Sequence, residues 1–202
     1  MKIKKLLFAS ALLFSAYNAS AQTQVIAHRG FWKTEGSAQN SIAALLKADS
    51  IGCYGSEFDV WLAADDQLVV NHDPTFKGKR MENSPSTALT AIKLDNGESL
   101  PTLAKYLKAA QPLHTRLILE LKAHSTPLRE TKAIEKIVAL VKDMGLEERM
   151  EYITFSLHAT KEFIRLAPEG TPVYYLDGNL SPKELKELGC AGPDYHYTVF
   201  RK

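Results

Sequence analysis

Four short segments of this sequence, most of them apolar, carry charged or histidine side chains at or just beyond their ends. They cover residues 25–28, 55–59, 68–71 and 116–121. Runs of this length and composition predict strands buried in a sheet. Polar groups at the ends of such strands are typical of chemistry carried out at the rim of a sheet or barrel. The rest of the chain then serves as scaffold for these four strand ends.

Helical patterns separate most of the candidate strands. Three further candidate strands cover residues 152–156, 172–176 and 195–199. Helix signals include a cap at Asn40 or Ser41, Pro101 in a first turn, and a capping box formed by Ser181 and Glu184. Strands that alternate with helices predict a parallel sheet, and seven of them favour a barrel. We therefore expect an α/β fold, a TIM-type (β/α)8 barrel truncated after its seventh strand.

The connection between the second and third runs is too short for a helix. Asp59 and Leu68 are nine residues apart, whereas a crossover between parallel strands needs a dozen or more residues. We expect an extended return over residues 60–64 and a turn at residues 65–66 in place of the helix. This return would bring His72 to the rim at the end of the second strand.

The first 21 residues have the pattern of a secretory signal peptide. Three lysines precede an apolar stretch at residues 6–17, and small residues at 19–21 form a cleavage site. The stretch is too short to span a bilayer comfortably, so a membrane anchor is the weaker alternative. We expect residues 1–21 to be removed and residues 22–202 to form one barrel domain, exported to the periplasm or outside the cell.

Loss of the signal peptide would change the net charge of the chain. Residues 1–21 contain three lysines and no acidic residue, so the formal charge would fall from +2 to −1. A charge near zero gives no general attraction to nucleic acid or to an anionic membrane. We therefore expect a small-molecule substrate, no nucleic acid partner and no stable membrane insertion. Cys53 and Cys190 could pair in an oxidising compartment, but two free thiols are the expected state.

Three carboxylates are predicted to meet at one rim. Glu57 and Asp59 are two residues apart, so both leave their strand on the same face, and Glu120 and Lys122 repeat this spacing. Such carboxylates repel one another unless they are protonated or neutralised by a cation. Oxygen ligands favour one divalent cation, Ca²⁺ or Mg²⁺.

The other charged strand ends suit a phosphate diester. Arg29 and Lys122 add positive charge to the predicted rim, which favours an oxyanion beside the cation. His28 and His72 could divide the proton transfers between the attacking and the leaving oxygen.

Four motifs, at residues 26–30, 57–59, 68–74 and 119–122, stand in a specific order and spacing. In this respect the chain resembles the glycerophosphodiester phosphodiesterase family. The resemblance implies a β/α barrel that hydrolyses glycerophosphodiesters to an alcohol and sn-glycerol 3-phosphate. The implied site residues are His28 and His72 as the acid/base pair, Arg29 and Lys122 on the phosphate, and Glu57, Asp59 and Glu120 on the metal.

The chain departs from the family pattern in three places, one of which is the absence from residues 74–84 of a Leu-x-Arg-Thr-Thr run that commonly follows the His-Asp pair. Gln39 stands where members usually have a glutamate, which removes one negative charge from the rim. No eighth strand is found before Lys202, so the first and seventh strands would lie at open edges. Two alternatives stand beside hydrolysis: a non-catalytic protein that binds phosphorylated head groups, and a phospholipase-type phosphodiesterase that acts on intact lipid.

The remaining histidines and one tryptophan have competing interpretations. Four histidines outside the motifs are expected in loops or at the surface: His114, His124, His158 and His196. Asp73 could orient His72 or support the metal. Trp32 is expected to pack, but it could hold substrate because it follows residues 28–30 in the predicted rim loop.

Overall fold

The computed structural model describes residues 23–201, so the predicted export signal at residues 1–21 lies outside the described range. The strands are β1 Ile26–Ala27, β2 Gly55–Leu62, β3 Leu68–Val70, β4 Thr75–Phe76, β5 Lys79–Arg80, β6 Arg116–Leu121, β7 Met150–Thr154, β8 Val173–Tyr175 and β9 Gly192–Pro193. Parallel pairing gives the order β1-β2-β6-β7-β8-β9. The sheet is curled and open between β1 and β9, which confirms the truncated TIM-type barrel.

β2 and β3 form an antiparallel hairpin. β2 continues beyond Asp59 to Leu62, and its last residues pair with β3, Val60 opposite Val70. Asp66 turns the chain at a φ of 60°, a left-handed conformation that Asp tolerates better than most residues. The return without a helix is confirmed, but the third strand is not a member of the parallel array. The short connection allows only the antiparallel direction.

The predicted strand at residues 195–199 is wrong. The last parallel pairing is made earlier, by Gly192 and Pro193 against Tyr174 and Tyr175. Residues Tyr197–Arg201 form a 3₁₀ helix instead. The alternating aromatic residues of this segment resemble a strand pattern, but β8 is already paired before the chain reaches them.

The helices are α1 Ile42–Ser50, α2 Ser86–Thr90, α3 Leu103–Ala110, α4 Pro127–Asp143, α5 Leu157–Leu166 and α6 Pro182–Leu188. Ser41 caps α1 by accepting the Ala44 N–H at 3.0 Å, and the capping box of α6 is present. The prediction of Pro101 in a helix turn is wrong. Thr102 caps α3, and Pro101 lies before it, where its carbonyl accepts the Val70 N–H at 2.9 Å.

Two hydrophobic cores support the rim. The larger core lies between the sheet and the helices, and it includes a stacked pair, Tyr152 and Phe163, with ring centroids 4.2 Å apart. The smaller core packs α2 and its neighbours against the β2–β3 hairpin through Met81, Leu89 and Trp61. This core holds residues 80–96 against the hairpin, and the segment contains α2 and a short 3₁₀ helix, Met81–Asn83.

Two further properties concern the chain as a whole. Cys53 and Cys190 are free thiols, as expected, although both are partly exposed rather than buried. Within residues 23–201, each helix is too short or too polar to cross a bilayer.

The stacked pair of the larger core gives a stability prediction. Phe163 is fully buried, so Phe163→Ala should lower the free energy of unfolding by about 3–5 kcal/mol, through lost transfer energy and a new cavity. Urea unfolding measures this. Leu128, which is 79% exposed, supplies the control, since Leu128→Ala should change stability by less than about 0.5 kcal/mol. A Phe163→Ala effect no larger than that of the control would contradict this packing.

Candidate active site

Neighbouring strands bring three carboxylates together. Asp59 of β2 lies opposite Glu120 of β6 in the parallel register, and Glu57 lies two residues earlier on the same face of β2. All three residues are buried. One oxygen from each lies within 4.8 Å of the others, a spacing that could hold a metal ion. The predicted meeting of these carboxylates is therefore found in the structure.

The environments of Glu57 and Glu120 favour the neutral forms of these two side chains. Burial, followed by the charge of Asp59, raises the pKa of Glu57 well above its usual value. Burial also raises the pKa of Glu120. Moreover, Oε1 of Glu57 is buried and accepts no hydrogen bond from any residue in the described range. An unpaired oxygen among three carboxylates fits a hard divalent cation, which prefers such ligands.

Lys122 is the cation that the carboxylates already contact. Its Nζ lies 2.7 Å from Glu120 and 3.3 Å from Asp59. Burial alone would lower the pKa of Lys122, but the charges of Asp59 and Glu120 outweigh it and raise that pKa. Lys122 is therefore charged and bound to the carboxylate cluster. Its single positive charge neutralises only part of the negative charge of the cluster.

Asn40 is a site residue that the sequence suggested only as a helix cap. Its Nδ2 donates to Oδ2 of Asp59 at 2.8 Å, and its Oδ1 accepts the Asp59 N–H at 3.1 Å. The residue has a φ of 60°, which Asn adopts more readily than most residues. The only sequence feature that pointed to Asn40 was its position directly before the Ser41 helix cap. Asn40 orients Asp59 from both sides.

The β1–α1 loop wraps around Glu57. The Arg29 N–H donates to Oε2 of Glu57 at 2.7 Å, and the Gly30 N–H donates to the Glu57 carbonyl at 3.1 Å. A side chain at Gly30 would place its Cβ 2.6 Å from that of Ala44, so the close packing of α1 requires glycine. Arg29 has a φ of 60°, and its Nη1 donates to Oε1 of Gln39 at 2.5 Å.

The two motif histidines approach from different sides. Nε2 of His28 lies 3.8 Å from Oε2 of Glu57. His72 follows β3, and its Nδ1 lies 2.7 Å from Oδ1 of Asp73. Asp73 therefore contacts His72, the first of its two predicted roles, and this contact leaves Nε2 of the ring for other partners.

One cavity of about 560 Å³ unites these groups. Its polar wall contains His28, Arg29, Glu57, His72, Glu120 and Lys122. Asp59 lies directly beneath, fully buried. Its apolar lining includes Ile118, Ile153 and Phe155. All seven residues singled out by the sequence therefore converge on one place, although their individual roles stay predictions.

His124 lies in the loop after β6, as expected, but it is half-buried and makes specific contacts. Nε2 of His124 accepts the Leu62 N–H at 2.9 Å, and Nδ1 lies 2.6 Å from the Lys122 carbonyl. Burial lowers the pKa of His124, so the neutral ring can accept on one edge and donate on the other. His124 thereby ties the β2 extension to the loop that carries Lys122.

Comparisons with known proteins place this geometry in context. No protein-family model matches the chain. A curated glycerophosphodiester phosphodiesterase from Caldanaerobacter subterraneus subsp. tengcongensis is 30% identical over 161 residues, which cover 73% of this chain and 64% of that protein. The chain thus spans slightly less than two thirds of the length of this relative.

Solved structures give a closer likeness. A glycerophosphodiester phosphodiesterase from Parabacteroides distasonis is 55% identical, with a TM-score of 0.86, over 88% of this chain and 75% of that one. The chain belongs to the glycerophosphodiester phosphodiesterase family. An Oleispira antarctica phosphodiesterase, solved in complex with the product sn-glycerol-3-phosphate, is 27% identical with a TM-score of 0.73, over 90% of this chain and 78% of that one.

Gln39 is one of the residues at which the chain was expected to depart from the family pattern. In this glycerophosphodiester phosphodiesterase family member, the neutral Gln39 side chain contacts Arg29. Among the described residues, no carboxylate forms an ion pair with Arg29, so its positive charge remains available to the cavity.

Proposed function

We propose that this chain hydrolyses glycerophosphodiesters to an alcohol and sn-glycerol 3-phosphate, with one divalent cation as cofactor. The observation that carries the proposal is the convergence of three buried carboxylates, two histidines and an unpaired arginine on one cavity. The family supports the reaction. The product named in the Oleispira antarctica complex supports a substrate that contains glycerol phosphate.

The residues of the chain would divide the work as follows. Glu57, Asp59 and Glu120 would hold the cation, Ca²⁺ or Mg²⁺. When bound, the cation would offset negative charge on the phosphate oxygens. Arg29 would bind the phosphate through its guanidinium group, which presents several N–H donors to oxyanions.

The histidines would move the protons. Desolvation by the cavity walls, followed by the charge of Arg29, lowers the pKa of His28, which suits it to accept a proton from the attacking hydroxyl group. His72 would give a proton to the leaving alkoxide through Nε2, because Asp73 contacts its other ring nitrogen at 2.7 Å. Lys122, bound to Asp59 and Glu120, would keep those carboxylates oriented and charged, and with Arg29 it would add positive charge beside the phosphate.

The site of action is a further part of the proposal. The lysines, apolar stretch and small-residue cleavage site of residues 1–21 support export to the periplasm or the cell exterior. N-terminal sequencing of the protein purified from its native cells should begin at Gln22. A start at Met1 would contradict processing.

Phosphorus NMR of a glycerophosphodiester incubated with the purified chain and Mg²⁺ or Ca²⁺ tests the proposed reaction. We expect the diester signal to be replaced by that of sn-glycerol 3-phosphate, and His28→Ala to abolish the change. Binding of the diester without turnover would favour the head-group-binding alternative. Conversion of an intact phospholipid at an equal rate would favour the phospholipase-type alternative.

Arg29 and Gln39 give a prediction of their own. Gln39→Glu would place a carboxylate against the Arg29 guanidinium and neutralise the charge proposed to bind phosphate. We expect the KM for the diester to rise about threefold to tenfold, with a smaller change in kcat, as for the loss of roughly 1 kcal/mol of electrostatic binding. Steady-state kinetics measure both constants. Gln39→Asn, which keeps the neutral amide, is the control, and an equal effect of both variants would contradict this role of the charge.

A further inference from the structure

Lys122 lies one residue beyond the end of a strand. β6 ends at Leu121. The Lys122 N–H still donates to the Val60 carbonyl of β2 at 3.1 Å. The Lys122 carbonyl, in contrast, accepts from a side chain outside the sheet, Nδ1 of His124 at 2.6 Å. The main chain that carries this lysine is therefore held on one side by the sheet and on the other by His124.

The two ring nitrogens of His124 have different roles. A carbonyl oxygen can only accept, so Nδ1 carries the hydrogen and donates it to Lys122. Nε2 then accepts the Leu62 N–H at 2.9 Å. Burial lowers the pKa of His124, and a lowered pKa favours the neutral ring that this arrangement needs. The imidazole thus joins the loop after β6 to the end of β2.

Other groups fix the His124 ring in this place. The ring lies against that of Trp61, with the two centroids 5.3 Å apart. The His124 N–H donates to Oε1 of Glu130 at 3.1 Å, and Oε2 of Glu130 accepts the Ser156 hydroxyl group at 2.7 Å. Glu130 is buried on α4, and Ser156 caps α5. His124 is therefore supported by β2 and by two helices.

The Lys122 side chain needs this support because it is long. Its Nζ lies 2.7 Å from Glu120 and 3.3 Å from Asp59, and a lysine side chain loses much rotamer freedom when it is held in one position. A main chain that is free to move would let Nζ leave the longer of these contacts, the one with Asp59. Both carboxylates are proposed ligands of the cation, so a shift of Lys122 would alter the charge beside the cation and the phosphate.

We propose that His124 is a positioning residue of the candidate active site, and that it holds Lys122 on Asp59 and Glu120 by fixing the Lys122 carbonyl. His124 does not line the cavity, so it acts through Lys122 and not on the substrate. The effect of His124 on activity rests on the proposed hydrolysis, whereas its effect on the Lys122 ammonium group does not.

A double-mutant cycle with Lys122→Met tests whether His124 acts through Lys122. We expect His124→Ala to lower kcat/KM for a glycerophosphodiester by about 10–100-fold, the usual cost of losing an outer partner in a metal site. In the Lys122→Met background the same change should cost less than about twofold, because the group that His124 positions is absent. His158 supplies the matched control, since it is also half-buried and lies 2.9 Å from the Thr131 hydroxyl group, but does not line the cavity. His158→Ala should have a small effect that is equal in both backgrounds.

Two replacements each keep one half of the His124 contacts. The amide nitrogen of asparagine can take the place of Nδ1 and donate to the Lys122 carbonyl, whereas the amide oxygen of glutamine can take the place of Nε2 and accept the Leu62 N–H. We expect His124→Asn to keep most of the activity, and His124→Gln to lose nearly as much as His124→Ala. A purely structural role would give the opposite order, because His124→Asn leaves the Leu62 N–H without its acceptor.

Heteronuclear NMR of the lysine ammonium groups tests the same contact without turnover. In the ion-free chain, Lys122→Met identifies the Lys122 signal. We expect this ammonium group to exchange its hydrogens more slowly with water than those of exposed lysines, because Nζ lies between two carboxylates. His124→Asn should keep the signal, whereas His124→Ala and His124→Gln should move its shift and exchange rate toward those of exposed lysines.

The outcomes separate this inference from the proposed function. Equal costs of His124→Ala in the two backgrounds, or a Lys122 signal that both His124→Ala and His124→Gln leave unchanged, would overturn the inference and leave the hydrolysis intact. Failure of the original chain to cleave the diester would contradict the proposed function, and the Lys122 signal would still decide the role of His124. If His124→Ala does not fold, the same measurements on His124→Asn and His124→Gln decide it.

Discussion

Replacing His72 with alanine is expected to lower kcat for diester hydrolysis by about 10²–10⁴-fold, the usual contribution of a positioned general acid or base. His72 lines the cavity of the candidate active site, and its Nδ1 lies 2.7 Å from Oδ1 of Asp73. Its removal would leave the departing alkoxide without a proton donor. Steady-state kinetics under saturating substrate measure the loss.

Two comparisons make the His72 prediction specific. Asp73→Asn should have a smaller effect than His72→Ala, because Asp73 acts through the orientation of the ring. His114→Ala is the matched control, since His114 is an exposed residue that does not line this cavity. A His72→Ala variant with more than about a third of the original kcat would remove His72 from the mechanism.

Replacing Glu57 with glutamine is expected to lower diester hydrolysis by at least about 100-fold. Even residues that only support metal ligands cost 10–100-fold in metal affinity or activity, and Glu57 contributes a directly placed oxygen. An amide oxygen can still accept the Arg29 N–H that Glu57 accepts at 2.7 Å, so the loop should keep its shape. Glu135→Gln, at an exposed carboxylate on α4, is the control and should retain activity.

The same variant should behave differently in stability. In the ion-free protein Glu57 is a buried carboxylate with a raised pKa, caused by burial and by Asp59. Glutamine removes that unfavourable charge. Without ions, Glu57→Gln should therefore have a free energy of unfolding about 1–2 kcal/mol higher than that of the original chain, as measured by denaturant unfolding. Loss of activity together with gain of stability identifies a functional carboxylate. Loss of both would indicate a structural one.

The raised pKa values also set a pH dependence. Burial and the charge of Asp59 raise the pKa of Glu57, and burial raises the pKa of Glu120. In the ion-free protein their contribution to stability is complete below the unfolded carboxyl pKa of about 4.3 and is lost as the pH rises through the folded values. A cation needs the ionised carboxylates. The rise in unfolding temperature on adding Mg²⁺ or Ca²⁺ should thus be larger at about pH 8 than at about pH 5.

The positions of the polar strand ends could be predicted because they depend on local rules. Alternation within a strand places Glu57 and Asp59 on one face, and parallel register then places Glu120 beside them. The short connection after Asp59 likewise excludes a helix by length alone. These inferences need no knowledge of packing.

The remaining features depend on tertiary contacts that the sequence does not display. His124 is half-buried and fixed in place because the β2 extension supplies the Leu62 N–H as its partner. Asn40 can form a hydrogen bond with Asp59 only when the β1–α1 loop packs against β2. The segment at residues 195–199 has a strand-like pattern, but the edge of β8 is paired with β9 instead, and Tyr197–Arg201 form a 3₁₀ helix. In this segment the local sequence pattern and the strand pairing of the sheet disagree, and the strand pairing determines the secondary structure.

The central claim is that the Glu57, Asp59 and Glu120 cluster binds one divalent cation that diester hydrolysis requires. The direct measurement is activity after removal of ions with EDTA, followed by titration with Mg²⁺ or Ca²⁺ and analysis of bound metal. We predict no hydrolysis in the ion-free protein, recovery as one ion per chain is bound, and no recovery for Glu57→Gln. Full hydrolysis of a glycerophosphodiester by the ion-free protein, or ion binding that Glu57→Gln leaves unchanged, would contradict the claim.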